Sequence, residues 1–375
     1  MKKFSIIILV FALLMAAACG KGERSDTKIK LEDVADFVLE VEDGRDVKIL
    51  QLTDIQIIDS AQRRYDSRLG KWAIENWATD KIEERAWRFT REAVEKAQPD
   101  LIVLSGDNVY GEFDDAGTSL QALVAEIDGY GIPWTFTFGN HDNETVKGIE
   151  WTCEQYMNAD HCIFTRGDIN NVDGNGNFNI AVTQGGKLTE IIWLMDSNGK
   201  TSGDREQNLF HEEGLRVNQI TWFTERSEKL KEYNGGVSPK NIGFFHHPMR
   251  AAGEAAVPYG YNSAKHEIGE NKSFKTVIIP ENDEGAFGAM HVDPNTYVDN
   301  EFYFHNLLKT YACEGWFFGH EHQNNASAFY EGVRYTYGLK ASQYDAYVKG
   351  EVGGTLITVG EGKMKVRHLY TDLPD

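Results

Sequence analysis

Cysteine is scarce in this chain, with 4 among 375 residues. After Cys19 there are only Cys153, Cys162 and Cys313, and they lack the spacing of a zinc knuckle. Cys153 and Cys162 are close enough in sequence to pair as a disulfide. Cys313 lies in an apolar segment, so we expect it to be a buried free thiol. A structural role is therefore expected for all three.

Positive charge is also in short supply, because 38 lysines and arginines face 58 aspartates and glutamates, for a net charge of -20. Such a chain has no long-range attraction to nucleic acid or anionic lipid. It also lacks a basic stretch interleaved with aromatic residues, which further disfavours a nuclease. The sequence contains no internal repeat and no low-complexity tract.

The one long apolar run lies at the amino terminus, where two lysines precede residues 4–15 and an Ala-Ala-Ala-Cys segment follows. This pattern is typical of a bacterial export signal, and the small residues before Cys19 predict a lipoprotein signal over residues 1–19. Acyl chains on Cys19 would tether an exported protein to the membrane, with residues 20–45 as a polar spacer. An ordinary cleaved signal or a single membrane anchor is the alternative.

Residues 46–375 are predicted to form one α/β domain, because strand-like runs alternate there with helical patterns. Apolar residues recur at helical spacing over residues 81–97, 120–130 and 217–233. Residues 249–300 are a long insertion rich in turn-forming residues. Long loops in compact domains are often lids or binding loops, so we expect this insertion to influence substrate choice.

Five of the apolar, strand-like runs end in residues that can bind a metal ion. Ligand sites in open α/β sheets gather at the carboxyl ends of strands, so we expect these five groups to meet. The runs are residues 47–52, 101–104, 134–138, 242–245 and 316–318, followed by Asp54-Ile55-Gln56, Gly106-Asp107, Gly139-Asn140-His141-Asp142, His246-His247 and Gly319-His320-Glu321-His322.

This ordered set predicts a site for two divalent metal ions that hydrolyses a phosphoester. Bound metal lowers the pKa of water from about 15.7 toward roughly 7 to 9, and a hydroxide bridging the two ions would attack phosphorus. Asp107 is the expected shared ligand, because its two carboxylate oxygens can serve one ion each. Asp54 and His322 would complete a first position, and a second position would be completed by Asn140, His246 and His320.

His141 directly follows Asn140 and is the predicted general acid for the departing alkoxide, with Asp142 expected to fix its tautomer. A single histidine is more often a hydrogen-bonded structural residue. Its place within five ordered clusters reverses that expectation.

These clusters resemble the pattern of the calcineurin-like metallophosphoesterase superfamily, which is Asp-x-His, Gly-Asp, Gly-Asn-His-Asp/Glu, His and Gly-His-x-His. Four of the five match, over residues 47 to at least 347. The local sequence over residues 106–111, 139–146 and 244–248 is most similar to that of the purple-acid-phosphatase-29-like branch. The resemblance implies a four-layer α/β/β/α sandwich of two mixed sheets flanked by helices. The family spacing His-x-Pro selects His246 over His247 as the ligand.

The sequence differs from the family pattern in the first cluster, where Gln56 occupies the position of the family's histidine. Its amide ligates only through oxygen, which favours Mn²⁺ over Zn²⁺ or Fe. A similar Asp-x-Gln occurs in Mn-dependent ADP-ribose/CDP-alcohol diphosphatases. Tyr110 is the rival ligand, because residues 106–110 are similar to the Gly-Asp-x-x-Tyr of purple acid phosphatases, whose tyrosine binds Fe³⁺. Gln56 is the favoured of the two.

The sequence therefore predicts an exported, lipid-anchored hydrolase of a small phosphoester that uses two divalent ions. A protein of another class is the alternative. It would be a weak or inactive surface or binding lipoprotein that keeps the fold with an impaired first metal position.

Overall fold

The computed structural model describes residues 29–199, 214–262, 274–293 and 301–371, and the predicted signal of residues 1–19 lies outside them. The strands are β1 (Phe37–Val41), β2 (Val47–Leu52), β3 (Leu101–Ser105), β4 (Trp134–Thr137), β5 (Phe178–Gln184), β6 (Lys187–Leu194), β7 (Asn241–Phe244), β8 (Val277–Ile279), β9 (Gly288–Met290), β10 (Cys313–Phe318), β11 (Ser327–Tyr330), β12 (Val333–Tyr337), β13 (Gly353–Val359) and β14 (Lys365–Tyr370). The helices are α1 (Lys71–Asn76), α2 (Arg88–Ala97), α3 (Thr118–Asp128), α4 (Gly148–Met157), α5 (Val217–Tyr233), α6 (Arg250–Ala256) and α7 (Glu301–Thr310).

Two mixed sheets carry the fold. One has the strand order β1-β5-β6-β7-β10-β12-β11, and the other has the order β14-β13-β2-β3-β4. In the first sheet β7 lies between β6 and β10 and is parallel to both. In the second sheet β3 lies between β2 and β4 and is parallel to both. The strands that precede the five predicted clusters are therefore joined by parallel pairing, with β7 and β10 inside the larger sheet and β2, β3 and the edge strand β4 in the smaller one.

The two faces of the larger sheet bury their side chains in different hydrophobic clusters. In β6, Ile192 and Leu194 belong to the cluster that also contains the smaller sheet, whereas Ile191 and Trp193 belong to a cluster shared with α5, α6 and α7. This alternation is the two-residue period of a strand covered on both faces. Helix α2 packs against β2, β13 and β14 of the smaller sheet, and α3 and α4 contribute side chains to the same hydrophobic cluster. The predicted four-layer α/β/β/α sandwich is confirmed.

The local predictions match the structure to different degrees. The pattern over residues 217–233 corresponds to α5 without a shift, whereas the first part of the pattern over residues 81–97 includes a π-helical turn, Glu83–Trp87, before α2 begins. The described part of the insertion, 249–262 and 274–293, forms α6 and the β8–β9 hairpin. Its predicted influence on substrate choice stays a prediction. None of the described helices combines the length and apolarity needed to cross a bilayer.

All three cysteines of the domain are free thiols, Cys153 and Cys313 buried and Cys162 partly buried. The disulfide that Cys153 and Cys162 could have formed is therefore not present. Burial raises the pKa of the Cys153 thiol to about 12. Cys313 is a buried free thiol, as expected.

Candidate metal centre

The loops that follow β2 and β3 run side by side, because the parallel pairing of the two strands continues past their ends. The Asp54 amide donates to the Gly106 carbonyl at 3.1 Å, and the Gln56 amide donates to the Asp107 carbonyl at 2.9 Å. In the other sheet the Gly319 amide donates to the His246 carbonyl at 3.0 Å. The ends of both sheets thus point their polar side chains into one buried space.

The backbone of this site is held in an uncommon conformation. Asp54, Gln56, Asp107 and His320 have φ angles of 52°, 48°, 51° and 68°, in the left-handed region that residues other than glycine rarely adopt. Such residues cost free energy and persist only where surrounding contacts hold them in place. Their concentration at one place is typical of a functional site.

Three of the clusters begin with glycine, and at Gly139 and Gly319 neighbouring groups leave no room for a side chain. A Cβ at Gly139 would collide with the carboxylate and the backbone amide of Asp107. A Cβ at Gly319 would collide with the Thr53 hydroxyl and would lie 2.6 Å from Asp54 Oδ2. Glycine is therefore required before Asn140 and before His320, because loops that follow different strands approach each other closely at these two positions.

Three of the predicted ligands form the centre of the site. Ligand atoms of Asp54, Asp107 and His246 all lie within 4.8 Å of one another, and all three residues are buried. The His246 Nδ1 lies 3.0 Å from the Ser105 carbonyl oxygen, so this nitrogen carries the proton. In the neutral ring Nε2 carries the lone pair, and this atom is buried and has no hydrogen-bond partner among the described residues. It lies 3.3 Å from Asp107 Oδ2. A buried imidazole lone pair beside two carboxylates fits a metal ion.

The electrostatics of these groups favour a cation. Burial alone would raise the pKa of Asp54, but His322 and then His246 outweigh it and lower the pKa to about 2. Burial alone would lower the pKa of His246, but Asp107 and Asp54 raise it to about 10. A metal ion would therefore take the place of the Nε2 proton, as is usual when a ligand histidine binds metal. Two buried carboxylates that stay ionised hold positive charge strongly, and a divalent ion is the most concentrated form of it.

The remaining predicted ligands of both positions reach the same space. Asn140 Oδ1 lies 3.0 Å from His320 Nδ1, and the ring of His320 lies 5.3 Å from that of His246. On the other side His322 Nε2 lies 3.2 Å from Asp54 Oδ1. The structure therefore places oxygen and nitrogen donors of the kind that suit a divalent ion beside the group of Asp54, Asp107 and His246.

Gln56 also reaches the cluster, but it presents its amide nitrogen. Nε2 donates to Asp107 Oδ2 at 3.3 Å and lies 3.1 Å from His322 Nε2. The oxygen Oε1 accepts a hydrogen bond of 2.7 Å from the buried ammonium of Lys340. The oxygen that would bind a metal is thus turned toward Lys340, and ligation through Gln56 requires its amide to rotate.

His141 is held by a different carboxylate from the one we expected. Glu144 Oε2 lies 2.8 Å from His141 Nδ1, and Glu144 is buried. The Asp142 carboxylate instead accepts the backbone amides of Gly139 at 2.7 Å and Asn108 at 2.9 Å, so it ties the loops together. The expectation that Asp142 fixes the His141 tautomer is corrected, because Glu144 occupies that place.

The His141 ring faces the cluster. Its Nε2 lies 4.0 Å from Asp107 Oδ2, and Tyr110 stacks on the ring with 3.8 Å between centroids. The Tyr110 hydroxyl accepts a hydrogen bond of 2.8 Å from Arg68. Burial raises the pKa of Tyr110 strongly. Tyr110 thus serves as a support for His141, and its neutral phenol is a poor metal ligand in this arrangement.

Two further residues of the site lie outside the predicted clusters. Lys340 is a buried lysine after β12, far from the clusters in sequence, and nothing in the local pattern points to it. Glu144 lies three residues after His141, which is the spacing of side chains that meet in a helical turn, so its role was readable from the sequence. His247, which the family spacing did not select as a ligand, has its Nδ1 2.9 Å from Ser197 Oγ.

The fold and the site together define a metal-binding α/β protein whose ligands come from the ends of parallel strands in two facing sheets. The family model for calcineurin-like phosphoesterases matches residues 47–324. The chain belongs to this family, and the predicted superfamily is confirmed.

Curated relatives from Arabidopsis thaliana are named as probable inactive purple acid phosphatases. Number 28 is 27% identical over 65% of this chain and 64% of its own length, and number 29 is 25% identical over 70% and 64%. This chain thus spans slightly under two thirds of these relatives. Among solved structures, a dimetal phosphatase from Danio rerio is 12% identical with a TM-score of 0.46, over 86% of this chain and 98% of its own.

Proposed function

We propose that this protein hydrolyses a small phosphoester, with divalent metal ions held at the ends of the central strands. The observation that carries the proposal is the buried, unpartnered His246 Nε2 beside the carboxylates of Asp54 and Asp107. When bound, the metal supplies an activated hydroxide and stabilises the negative charge of the phosphoryl group. The sequence-based expectation of two ions sharing Asp107 is part of the proposal.

His141 is the proposed general acid. Glu144 holds Nδ1, so Nε2 is the nitrogen that faces the cluster and can pass a proton to the departing oxygen. Stacking on Tyr110 limits the tilt of the ring. Proton donation of this kind contributes typically about 10²- to 10⁴-fold, most where the leaving group is a poor one.

Mn²⁺ is the proposed ion at the first position, because Gln56 offers only an oxygen after its amide rotates. Fe and Zn²⁺ are the alternatives. A panel of phosphomonoesters and phosphodiesters, assayed on metal-stripped protein reloaded with Mn²⁺, Zn²⁺ or Fe, tests the function. Turnover that depends on metal supports it, and binding of the same esters without turnover under every metal contradicts it.

The second candidate is a surface protein that binds a phosphoester and turns it over weakly or not at all. Two observations favour it. The Gln56 amide nitrogen faces the first position, and the Arabidopsis relatives are named as probable inactive enzymes. This candidate predicts that the protein binds phosphoesters of the same panel but does not hydrolyse them.

We also propose that the protein is exported and anchored through acyl chains on Cys19, with no nucleic-acid partner. The support is the lysine-led apolar leader that ends in Ala-Ala-Ala-Cys and the net charge of -20. Labelled fatty acid should enter the wild-type protein and should be absent from Cys19→Ser. An unmodified mature amino terminus at another residue would contradict the anchor.

A further inference from the structure

The Gln56 side chain uses every hydrogen-bonding group that it has. Its two N–H groups face Asp107 Oδ2 at 3.3 Å and His322 Nε2 at 3.1 Å, and its oxygen accepts from Lys340 at 2.7 Å. Lysine carries three donors and no acceptor, so the amide oxygen must be the atom that faces it. The orientation of this amide is therefore determined by chemistry.

The two atoms that Gln56 contacts are ones that a metal ion in the first position would need. His322 Nε2 lies within hydrogen-bond distance of both the Gln56 N–H and Asp54 Oδ1, and it can accept that N–H or bind a metal only with the lone pair of its neutral ring. Asp107 Oδ2 is a carboxylate oxygen of the expected shared ligand. The Gln56 amide nitrogen, a neutral donor, therefore lies against two atoms that a metal ion in the first position would need as ligands.

Lys340 is built into this arrangement. The residue is 1% exposed, and its ammonium donates to the Asp54 carbonyl at 3.0 Å as well as to Gln56. Its backbone is fixed on both sides, because it pairs with Thr53 in a parallel bridge and its carbonyl accepts the Gly353 amide at 3.0 Å. Buried ammonium groups are costly unless paired, and a lysine held this firmly has little freedom to leave its acceptors.

The charges agree with the hydrogen bonds. Asp54 and Asp107 carry -2, and Lys340 carries +1. One divalent ion leaves these groups with a net charge of +1, whereas two ions leave +3, or +2 with a bridging hydroxide, in a buried space where like charges repel strongly. A single ion together with Lys340 already neutralises both carboxylates.

Resting on the proposed function, we propose that Lys340 and Gln56 form a built-in competitor for the first metal position. The chain holds one ion tightly, in the second position formed by Asp107, Asn140, His246 and His320. Another ion can bind in the first position only when the Gln56 side-chain amide rotates, and this rotation breaks the hydrogen bond that Lys340 donates to its oxygen. Lys340 acts through Gln56 and is a positioning residue.

The test is a Mn²⁺ titration of the purified, metal-stripped full chain, followed by calorimetry and by electron paramagnetic resonance, which separates isolated Mn²⁺ from an exchange-coupled pair. Wild type should load one ion tightly and a second in a distinct, weaker phase. Lys340→Met frees the Gln56 oxygen at similar volume and should move the second phase to at least about tenfold lower Mn²⁺. Gln56→His, which restores an imidazole, should shift it the same way. Lys309→Met, which removes an exposed lysine paired with Glu331, is the control and should leave both phases in place.

Loading of two ions in a single phase by wild type would overturn the inference. So would a Lys340→Met protein that folds, by its melting curve, and binds the second ion no more tightly. If Lys340→Met does not fold, Gln56→His decides, and an unchanged second phase there overturns the inference. Phosphoester turnover measured on the same samples reports on the proposed function separately, since two binding phases without turnover would sink that function and leave this inference standing.

Discussion

Replacing Glu144 by glutamine should separate the proposed general acid from the metal ligands. Glu144 is buried and lies 2.8 Å from His141 Nδ1. The amide keeps the size and one acceptor, but it removes the negative charge that stabilises a protonated His141. A hydrogen bond to a charged group contributes about 1.5 to 3 kcal/mol, and a neutral one about 0.5 to 1.5 kcal/mol. The difference is about 1 to 2 kcal/mol.

At about 1.36 kcal/mol per factor of ten, this difference corresponds to a loss of roughly 5- to 30-fold in kcat. The loss should appear on an alkyl phosphate, whose leaving oxygen needs a proton. It should be much smaller on an aryl phosphate, which departs readily without one. Mn²⁺ binding should be unchanged, because Glu144 contacts His141 and is outside the predicted ligand set.

The assay compares kcat for one alkyl and one aryl phosphate on the Mn²⁺-loaded protein. Glu150→Gln is the matched control, because Glu150 lies on α4 with its side chain 83% exposed. In a His141→Ala background, Glu144→Gln should have no further effect, since two residues that act through one proton are not additive. An equal loss on both phosphates, or a full additional loss in the His141→Ala background, would refute this reasoning.

Three further substitutions test the rest of the site. Asp107→Asn should abolish turnover and weaken Mn²⁺ binding with only a small change in melting temperature, and near-normal turnover would argue against Asp107 as the shared ligand. Gly139→Ala should weaken Mn²⁺ binding by at least about tenfold, because the added Cβ displaces the Asp107 carboxylate. If calorimetry measured the wild-type Mn²⁺ affinity in this variant, the crowding between residue 139 and Asp107 would be contradicted. Iron-loaded wild type should be colourless, because the Tyr110 hydroxyl is bonded to Arg68; a purple or pink band that disappears in Tyr110→Phe would show tyrosinate ligation instead.

The sequence pattern alone predicted an α/β domain and the place of the site, and the resemblance to a known family implied the four layers. The apolar runs before Asp54, Asp107 and His246 are long enough to be strands and are followed at once by ligand-type residues, so the site had to lie at the strand ends. Spacing along the chain also selected the Asp, Asn and His residues that the structure brings into one buried space. Apolar runs and the ligand-type residues after them are local features, so they can be seen directly in the amino-acid sequence.

Tertiary structure decided the contacts between residues far apart in the chain. Lys340 follows β12 and meets Gln56 only because residue 340 pairs beside Thr53 in space, 287 positions away, and this meeting turns the amide nitrogen toward the metal position. The spacing of Glu144 from His141 was visible in the sequence, but the preference for Glu144 over Asp142 depended on the fold, because the Asn108 backbone amide draws the Asp142 carboxylate away. Residue types and spacing are written in the sequence, but the direction in which a buried polar group points depends on which donors and acceptors the fold places around it.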